Sequence, residues 1–263
     1  MITSIIQARM GSTRLPGKAM KLIMNRPLLY YVINQVRHCT TLSKIIIATT
    51  TLKEDDQIVR HVKSLEMDVY RGSAEDVLSR YYYCAKDSGI DTIVRVTSDN
   101  PFTDPRIIDR CVIEFENSDL DYLSNVIKKE HDSWVYDLNG FPYGLAVEVF
   151  SFKALAKAWK DAKNFSDREH VTPYIINNSQ LFSLGNITNS DDFSNIRVTV
   201  DHRVDFDIAK TIIEHFPKDH VFSMNDVVLF LKQNPKLALM NSKLPFNEGY
   251  LQPQKEDKLL EKD

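Results

Sequence analysis

The chain has 263 residues, 43% apolar and 26% charged, enough for a sizeable core and read as one α/β domain with a small addition. No apolar run approaches the length of a membrane span, and Met1-Ile2-Thr3 opens directly into a strand pattern. Membrane insertion and secretion are therefore not expected, and the cytoplasm is the expected compartment.

The elements alternate. Residues 2–6 form a short apolar strand and residues 44–49 another, the pattern of strands buried on both faces of a parallel sheet. Between them Pro27 opens a helix whose Leu28, Leu29, Val32, Ile33 and Val36 recur at helical spacing, which completes a right-handed βαβ unit. A helix over 56–65 and a brief strand over 67–70 follow. Ser73 then caps a helix bearing Val77, Leu78, Tyr81 and Ala85, which Gly89 stops. Residues 92–97 make a strand ending at Ser98-Asp99-Asn100-Pro101, and Asp104-Pro105 caps and opens a helix through Phe115.

After that the rhythm changes. Residues 122–128 and 146–152 read as strands, joined by a polar and aromatic stretch, 131–143, that leaves the sheet as an arm or hairpin spanning about residues 126–146. A helix over 153–163 comes next, then one opened by a Ser-x-x-Glu capping box from Ser166 to Glu169. Residues 196–201 read as the last strand, followed by helices near 206–216 and 225–232. The domain is expected to span 1–235, with 236–263 a polar extension whose residues 252–263 read as a frayed tail. Cys39, Cys84 and Cys111 lack C-x-x-C spacing and lie in or beside helical patterns, so packing is their expected role and neither disulfide nor zinc is indicated.

The net charge of −3 conceals an asymmetry: residues 1–53 hold eight Lys/Arg and no Asp or Glu (+8), leaving 25 Lys/Arg against 36 Asp/Glu (−11) in the rest. These cations sit at a loop and around a helix, not in an aromatic-interleaved stripe, which favours a compact polyanion over extended nucleic acid. The loop is Gln7-Ala8-Arg9-Met10-Gly11-Ser12-Thr13-Arg14-Leu15-Pro16-Gly17-Lys18. Its small residues let backbone N–H groups approach an anion, and Arg9, Arg14 and Lys18 supply positive charge, the chemistry of a phosphate cradle. Five residues separate Gly11 from Gly17 and Ala19 follows Lys18, which excludes a Walker A loop; no G-x-G-x-x-G occurs. Ligands of an open parallel sheet gather at the carboxyl ends of its strands, a rule that selects the Arg9 loop, Ser98-Asp99 and Asp201. Asp99 is either a turn former or a ligand for Mg²⁺, which is commonly held by one or two carboxylates plus substrate phosphates. Asp205-Phe206-Asp207 has the Asp-x-Asp form that holds a sugar nucleotide's metal in many glycosyltransferases, but it precedes a helix, so capping is the reading taken.

The segment Arg9 to Lys18 resembles the signature loop of CMP-sialate and CMP-octulosonate synthetases, and most closely that of the cytidylyltransferases named after spore coat polysaccharide protein F. The resemblance continues through Arg71-Gly72-Ser73-Ala74-Glu75-Asp76-Val77-Leu78, Asp121 to Asn125, Glu148 to Ser151, Arg168 to Tyr174 and Ile196 to Asp201, and covers most of residues 1–216. It implies the Rossmann-like nucleotide-diphospho-sugar transferase fold, a mostly parallel central sheet with helices on both faces. The implied activity is Mg²⁺-dependent transfer of CMP from CTP to an acidic sugar or phosphorylated acceptor, with release of pyrophosphate, for surface polysaccharide synthesis. Arg9, Lys18 and Asp99 become catalytic, and Asp99 with Asp201 the metal pair. Gln7, Ala8, Arg9, Gly11, Ser12, Arg14, Lys18, Arg71, Gly72 and Ser73 become the nucleotide site. Arg95 and Asn100, on and just after the strand that ends at Asp99, join Glu148, Arg168, Glu169, His170 and Arg197 around the acceptor. Glu148 otherwise faces solvent by alternation, and Arg168 to His170 otherwise form a solvated first turn. The competing readings are a glycosyltransferase of the same fold and a non-catalytic nucleotide-binding protein. The aromatic arm around Trp134 and Tyr136 is expected to cross to the partner of a homodimer, or else to form a lid over the acceptor.

Overall fold

A computed structural model of the chain describes residues 1–131, 133–246, 248 and 257. The strands are β1 (Ile2–Gln7), β2 (Leu22–Ile23), β3 (Arg26–Pro27), β4 (Lys44–Thr50), β5 (Asp68–Gly72) and β6 (Thr92–Thr97) in the first half. The second half adds β7 (Tyr122–Ser124), β8 (Ile127–Glu130), β9 (Ser133–Tyr136), β10 (Glu148–Ser151) and β11 (Leu184–Asn186). The helices are α1 (Leu28–Val36), α2 (Asp56–Ser64), α3 (Val77–Asp87), α4 (Pro105–Glu116) and α5 (Phe152–Asp161), then α6 (Phe165–His170), α7 (Pro173–Asn177), α8 (Arg203–His215), α9 (Met224–Gln233) and α10 (Pro235–Leu239).

Among the described residues the central sheet has seven strands in the order β11-β7-β10-β6-β1-β4-β5. Every pairing is parallel except those of β10 with β6 and β7. Side chains on a strand alternate faces, so Ile6 and Ile47 join the core beneath α1, α4 and α8, while Ile5 and Ile46 join the core beneath α3 and α5. All four are at most 2% exposed, and these two apolar faces hold the layers together. Chain order reverses between β1 and β6, since β1 leads to β4 on one side and β6 lies on the other. Loops leaving that pair of strands therefore flank the crevice where ligands of such sheets bind.

Four boundaries differ from the sequence reading. Residues 196–201 are extended and mostly buried but belong to no strand: they meet the rest through Val198 N–H to the Tyr143 carbonyl (2.8 Å), Val200 N–H to the Asp99 carbonyl (2.8 Å) and a single bridge between Tyr143 and Arg197. A segment buried on both sides has the apolar pattern of a strand without its ladder. Gly144 makes the close approach possible: its φ is +116°, and a Cβ there would lie 2.4 Å from the Thr199 nitrogen. The stretch read as one strand over 122–128 is two, β7 in the main sheet and β8, which turns out to pair with β9 as a hairpin. Asp76, not Ser73, caps α3, accepting from Ser79 N–H at 2.8 Å while Ser73 Oγ accepts from Asp76 N–H. The Ser166 capping box does not form. Asn164 is the cap residue, and the Asp257 carboxylate accepts from Phe165 N–H (2.7 Å) and Ser166 N–H (3.2 Å) instead.

The edge strand β11 carried no periodic signal, being three residues long. Residues 236–246 begin with α10 and pack back on the domain, where Asn241 is 2% exposed; apart from Asp257, residues 252–263 lie outside the described ones. No helix among the described residues is long and apolar enough to cross a membrane. The three cysteines are free, and burial pushes the thiols of Cys84 and Cys111 up to about 12, as expected for packing residues.

Candidate active site

The crevice at the strand reversal opens into a cleft of about 1090 Å³. The loop after β1 forms one wall, with Gln7, Ala8, Arg9, Gly11, Ser12, Arg14 and Lys18 lining it. Thr97, Asp99 and Asn100 line it after β6, and Arg95, Glu148, Glu169, His170 and Asp201 complete the set the sequence singled out. Arg71, Gly72, Ser73, Arg168 and Arg197 do not line it.

The loop's shape depends on a residue the sequence reading did not single out. Asp55, fully buried ahead of α2, accepts from Met10 N–H at 2.7 Å and, through its other oxygen, from Thr50 N–H and the hydroxyls of Thr49 and Thr50. The Met10 carbonyl then accepts from Ser12 N–H (2.8 Å) and Gly17 N–H (3.1 Å), closing the loop on itself. Gly17 turns it at φ +67°. Among the described residues the N–H groups of Gly11, Thr13 and Arg14 have no partner, so they are available to anionic oxygens.

Lys18 is the pivot. Its Nζ donates to Asp99 (2.8 Å), Asp201 (2.9 Å) and the Val200 carbonyl (3.0 Å). Burial alone would lower its pKa, but the two carboxylates hold it above the ordinary lysine value. Asp201 is buried too, yet Lys18 and Arg14, which donates to it at 2.9 Å, keep its carboxyl far below the usual range. Arg197 Nη2 donates to its second oxygen at 3.2 Å. Two carboxylates on separate segments thus converge on one point that now holds an ammonium cation. Among the described residues no three His, Cys, Asp or Glu side chains gather to hold a metal. Two convergent carboxylates are the donor set by which Mg²⁺ is commonly held together with substrate phosphates and water.

Two of the three arginines expected at the acceptor, Arg168 and Arg197, are engaged elsewhere. Arg197, 2% exposed at its side chain, forms a fork with Asp205 (3.0 and 3.2 Å) and serves to fix Asp201. Asp205 also accepts from the N–H groups of Asp201 and His202 and closes the capping box of α8, while Asp207 pairs with Arg203 on the surface. The Asp-x-Asp is thus consumed by capping and support. Arg168 spans Asp76 and the Trp159 carbonyl, tying α6 to α3. Arg71 bonds Asp56 and the Thr50 and Leu52 carbonyls.

Glu148 does not face solvent. It pairs with Arg95 and accepts from Tyr122 OH (2.8 Å) and Thr172 Oγ1 (2.6 Å). Thr172 arrives there because Val171 adopts φ +74°, a conformation a β-branched residue rarely takes, and so breaks α6 from α7. Arg9 pairs with Glu169 at 2.7 Å but is 42% exposed at its side chain. Asn100 donates to Thr97 Oγ1, leaving its buried Oδ1 without a partner among the described residues. Trp134, Val135 and Tyr136 of the β8–β9 hairpin line the cleft of their own chain, the position of a lid.

Asp167 lies beside this cluster at 5% exposure, and burial, then Asp257, raises its pKa to about 6. A carboxyl whose pKa is raised on folding destabilises the native state once pH exceeds its unfolded value near 3.8, and increasingly up to and through 6. Asp167→Asn is therefore expected to raise the thermal midpoint by roughly 2–4 °C at pH 8 and to leave it unchanged at pH 4. Equal shifts at both pH values would refute the electrostatic cause.

A mostly parallel α/β sheet, a loop of cations and unpaired amides at its reversal point, and two carboxylates about a lysine, one just after β6 and one on the extended 196–201 segment, are the setting of a nucleotidyltransferase. The family model described as cytidylyltransferase matches residues 3–223. The chain is 38% identical over 245 residues to an uncharacterised protein of Methanocaldococcus jannaschii, covering 92% of this chain and 94% of that one. It is 30% identical to the spore coat polysaccharide biosynthesis protein SpsF of Bacillus subtilis, covering 90% and 96%. A cytidylyltransferase structure from Leptospira borgpetersenii superposes with a TM-score of 0.83 at 29% identity, covering 94% and 99%. The chain belongs to the cytidylyltransferase family and is a CTP-dependent enzyme.

Proposed function

We propose that the protein transfers CMP from CTP, with Mg²⁺, to an acidic sugar or a phosphorylated acceptor and releases pyrophosphate, for surface polysaccharide synthesis. The observation that carries this reading is the convergence of Asp99 and Asp201 on one cation position at the mouth of the Arg9–Lys18 loop. Asp99 and Asp201 would hold the metal, which when bound supplies charge neutralisation at the α-phosphate.

The chain's own residues supply the rest. The amides of Gly11, Thr13 and Arg14 donate to the phosphates. Arg9, Arg14 and Lys18 stabilise the charge that moves onto the leaving pyrophosphate. An oxygen of the acceptor attacks the α-phosphorus in line, forming the new O–P bond as the bridge to the β-phosphate breaks. The acceptor enters beneath the β8–β9 hairpin, where the orphan Asn100 Oδ1 can take a hydroxyl. The name of the Bacillus subtilis relative supports the polysaccharide setting. A homodimer is part of the proposal and light scattering at micromolar concentration tests it.

Incubated with CTP and a panel of acidic sugars, sugar phosphates, alditol phosphates and phosphonates, the purified protein is expected to release pyrophosphate with at least one acceptor. UTP, ATP and GTP should give far less. Chelation with EDTA should stop the release and excess Mg²⁺ restore it. Turnover that survives exhaustive chelation would remove the metal from this reading, and tighter binding of sugar nucleotides than of CTP would favour a glycosyltransferase.

A further inference from the structure

Arg80, in the first turn of α3, is 2% exposed and lines the cleft, yet among the described residues no carboxylate pairs with it. Its Nε donates to the Ser73 carbonyl at 2.9 Å, while its Nη2 is buried without a partner among the described residues. Burial, then repulsion from Arg9, lowers its pKa. A buried guanidinium lacking an acceptor is costly, and such cost persists where a ligand removes it. Gly72 makes room for it: a Cβ there would lie 2.9 Å from Arg80 Cγ and 3.4 Å from its Cα. The turn through Gly72 and Ser73 thus acts on the cleft through Arg80, by packing its stem and holding its Nε.

A guanidinium only donates, so its ligand must present acceptors. The phosphate-binding cations Arg14 and Lys18 stand with Asp99 and Asp201, on the β6 side of the loop. Arg80 belongs to the β5–α3 side, where Ala74 and Val77 line the cleft with it and offer small apolar contact to a flat ring. Cytosine presents two adjacent acceptors, O2 and N3. Uracil carries a hydrogen on N3 and would direct a donor at a donor. We propose that Arg80 is the specificity-determining residue for the nucleobase, donating to O2 and N3 of cytosine and thereby excluding uracil. This rests on the cytidylyl-transfer reading above and deepens it.

The test is equilibrium binding of CMP, UMP and inorganic tripolyphosphate, by calorimetry without metal, to the wild type, Arg80→Met and Arg80→Lys. Wild type should prefer CMP over UMP by about tenfold or more, the usual scale of two-point base readout. In Arg80→Met, CMP affinity should fall to that of UMP while tripolyphosphate affinity stays within about twofold. Arg80→Lys keeps the charge but not the fork, so its CMP affinity should fall about tenfold, to near that of UMP, while UMP and tripolyphosphate affinities stay within about twofold. Should Arg80→Met fold poorly by circular dichroism, Arg80→Lys carries the test. Equal losses of CMP and tripolyphosphate would make Arg80 a phosphate contact, and an undiminished CMP preference in both variants would leave it a structural residue; either overturns the assignment alone. A wild type that binds tripolyphosphate without preferring CMP overturns both this proposal and the cytidylyl reading.

Discussion

Asp99→Asn is expected to lower CMP transfer by about a thousandfold or more while the thermal midpoint moves by only a few degrees. Asn keeps the shape and one acceptor oxygen for Lys18, while the amide that replaces the other oxygen donates to Thr97 Oγ1 in place of accepting from it, so the end of β6 stays nearly as it is. The side chain is 25% exposed, and Lys18 retains Asp201 and the Val200 carbonyl. Little stability is therefore at stake, whereas half of the carboxylate charge at the proposed metal position disappears. Asp201→Asn should lose comparable activity but more stability, because Asp201 also answers Arg14 and Arg197. Turnover and apparent Mg²⁺ requirement, measured beside a melting curve, separate the two. Asp99→Asn with activity within tenfold of wild type would exclude a direct role for that carboxylate in the reaction.

The loop was legible because its information is local. Gly11, Gly17 and three cations within ten residues, placed directly after an apolar strand, put this loop at the mouth of the cleft wherever the rest of the chain goes. The βα alternation through residue 116 was legible for the same reason, since each element's apolar face repeats at its own period. What failed depended on distant partners. Ile196 to Asp201 carries the burial of a strand, and nothing in its residue types says that Tyr143 and Asp99, not a sheet neighbour, receive its N–H groups. Arg168 and Arg197 were read as free to meet an anion, but Asp76 and Asp205, over 90 and 8 residues away respectively, already satisfy them. Asp55 and Arg80 gave no signal at all. One looked like an acid at a helix start and the other like a charged face of a helix, and only burial reveals that each is aimed at the loop or the cleft. Positions whose roles rest on a side chain's long-range partner are those that a single sequence hides.

Asp205→Ala is expected to be the most destabilising single change at the site, by about 3–5 kcal/mol, because it leaves a buried charge without its partner. Asp205 and Arg197 are 0% and 2% exposed at their side chains. The lost carboxylate also strands the N–H groups of Asp201 and His202 and the Asn241 amide, which donates to it at 2.8 Å. For a chain of this size that loss lowers the thermal midpoint by roughly 8–15 °C. Activity should fall further than the melting alone explains. Arg197, released from its fork, keeps Asp201, the Pro245 carbonyl and the face of the Tyr143 ring, and draws on the carboxylate that Lys18 and Arg14 share. Adding Arg197→Met to Asp205→Leu should recover part of the lost stability, since replacing both members of a buried pair by apolar groups removes the uncompensated charge. A midpoint within about 2 °C of wild type for Asp205→Ala would show that the pair is spectator charge, and the positioning of Asp201 would then rest on Lys18 and Arg14 alone.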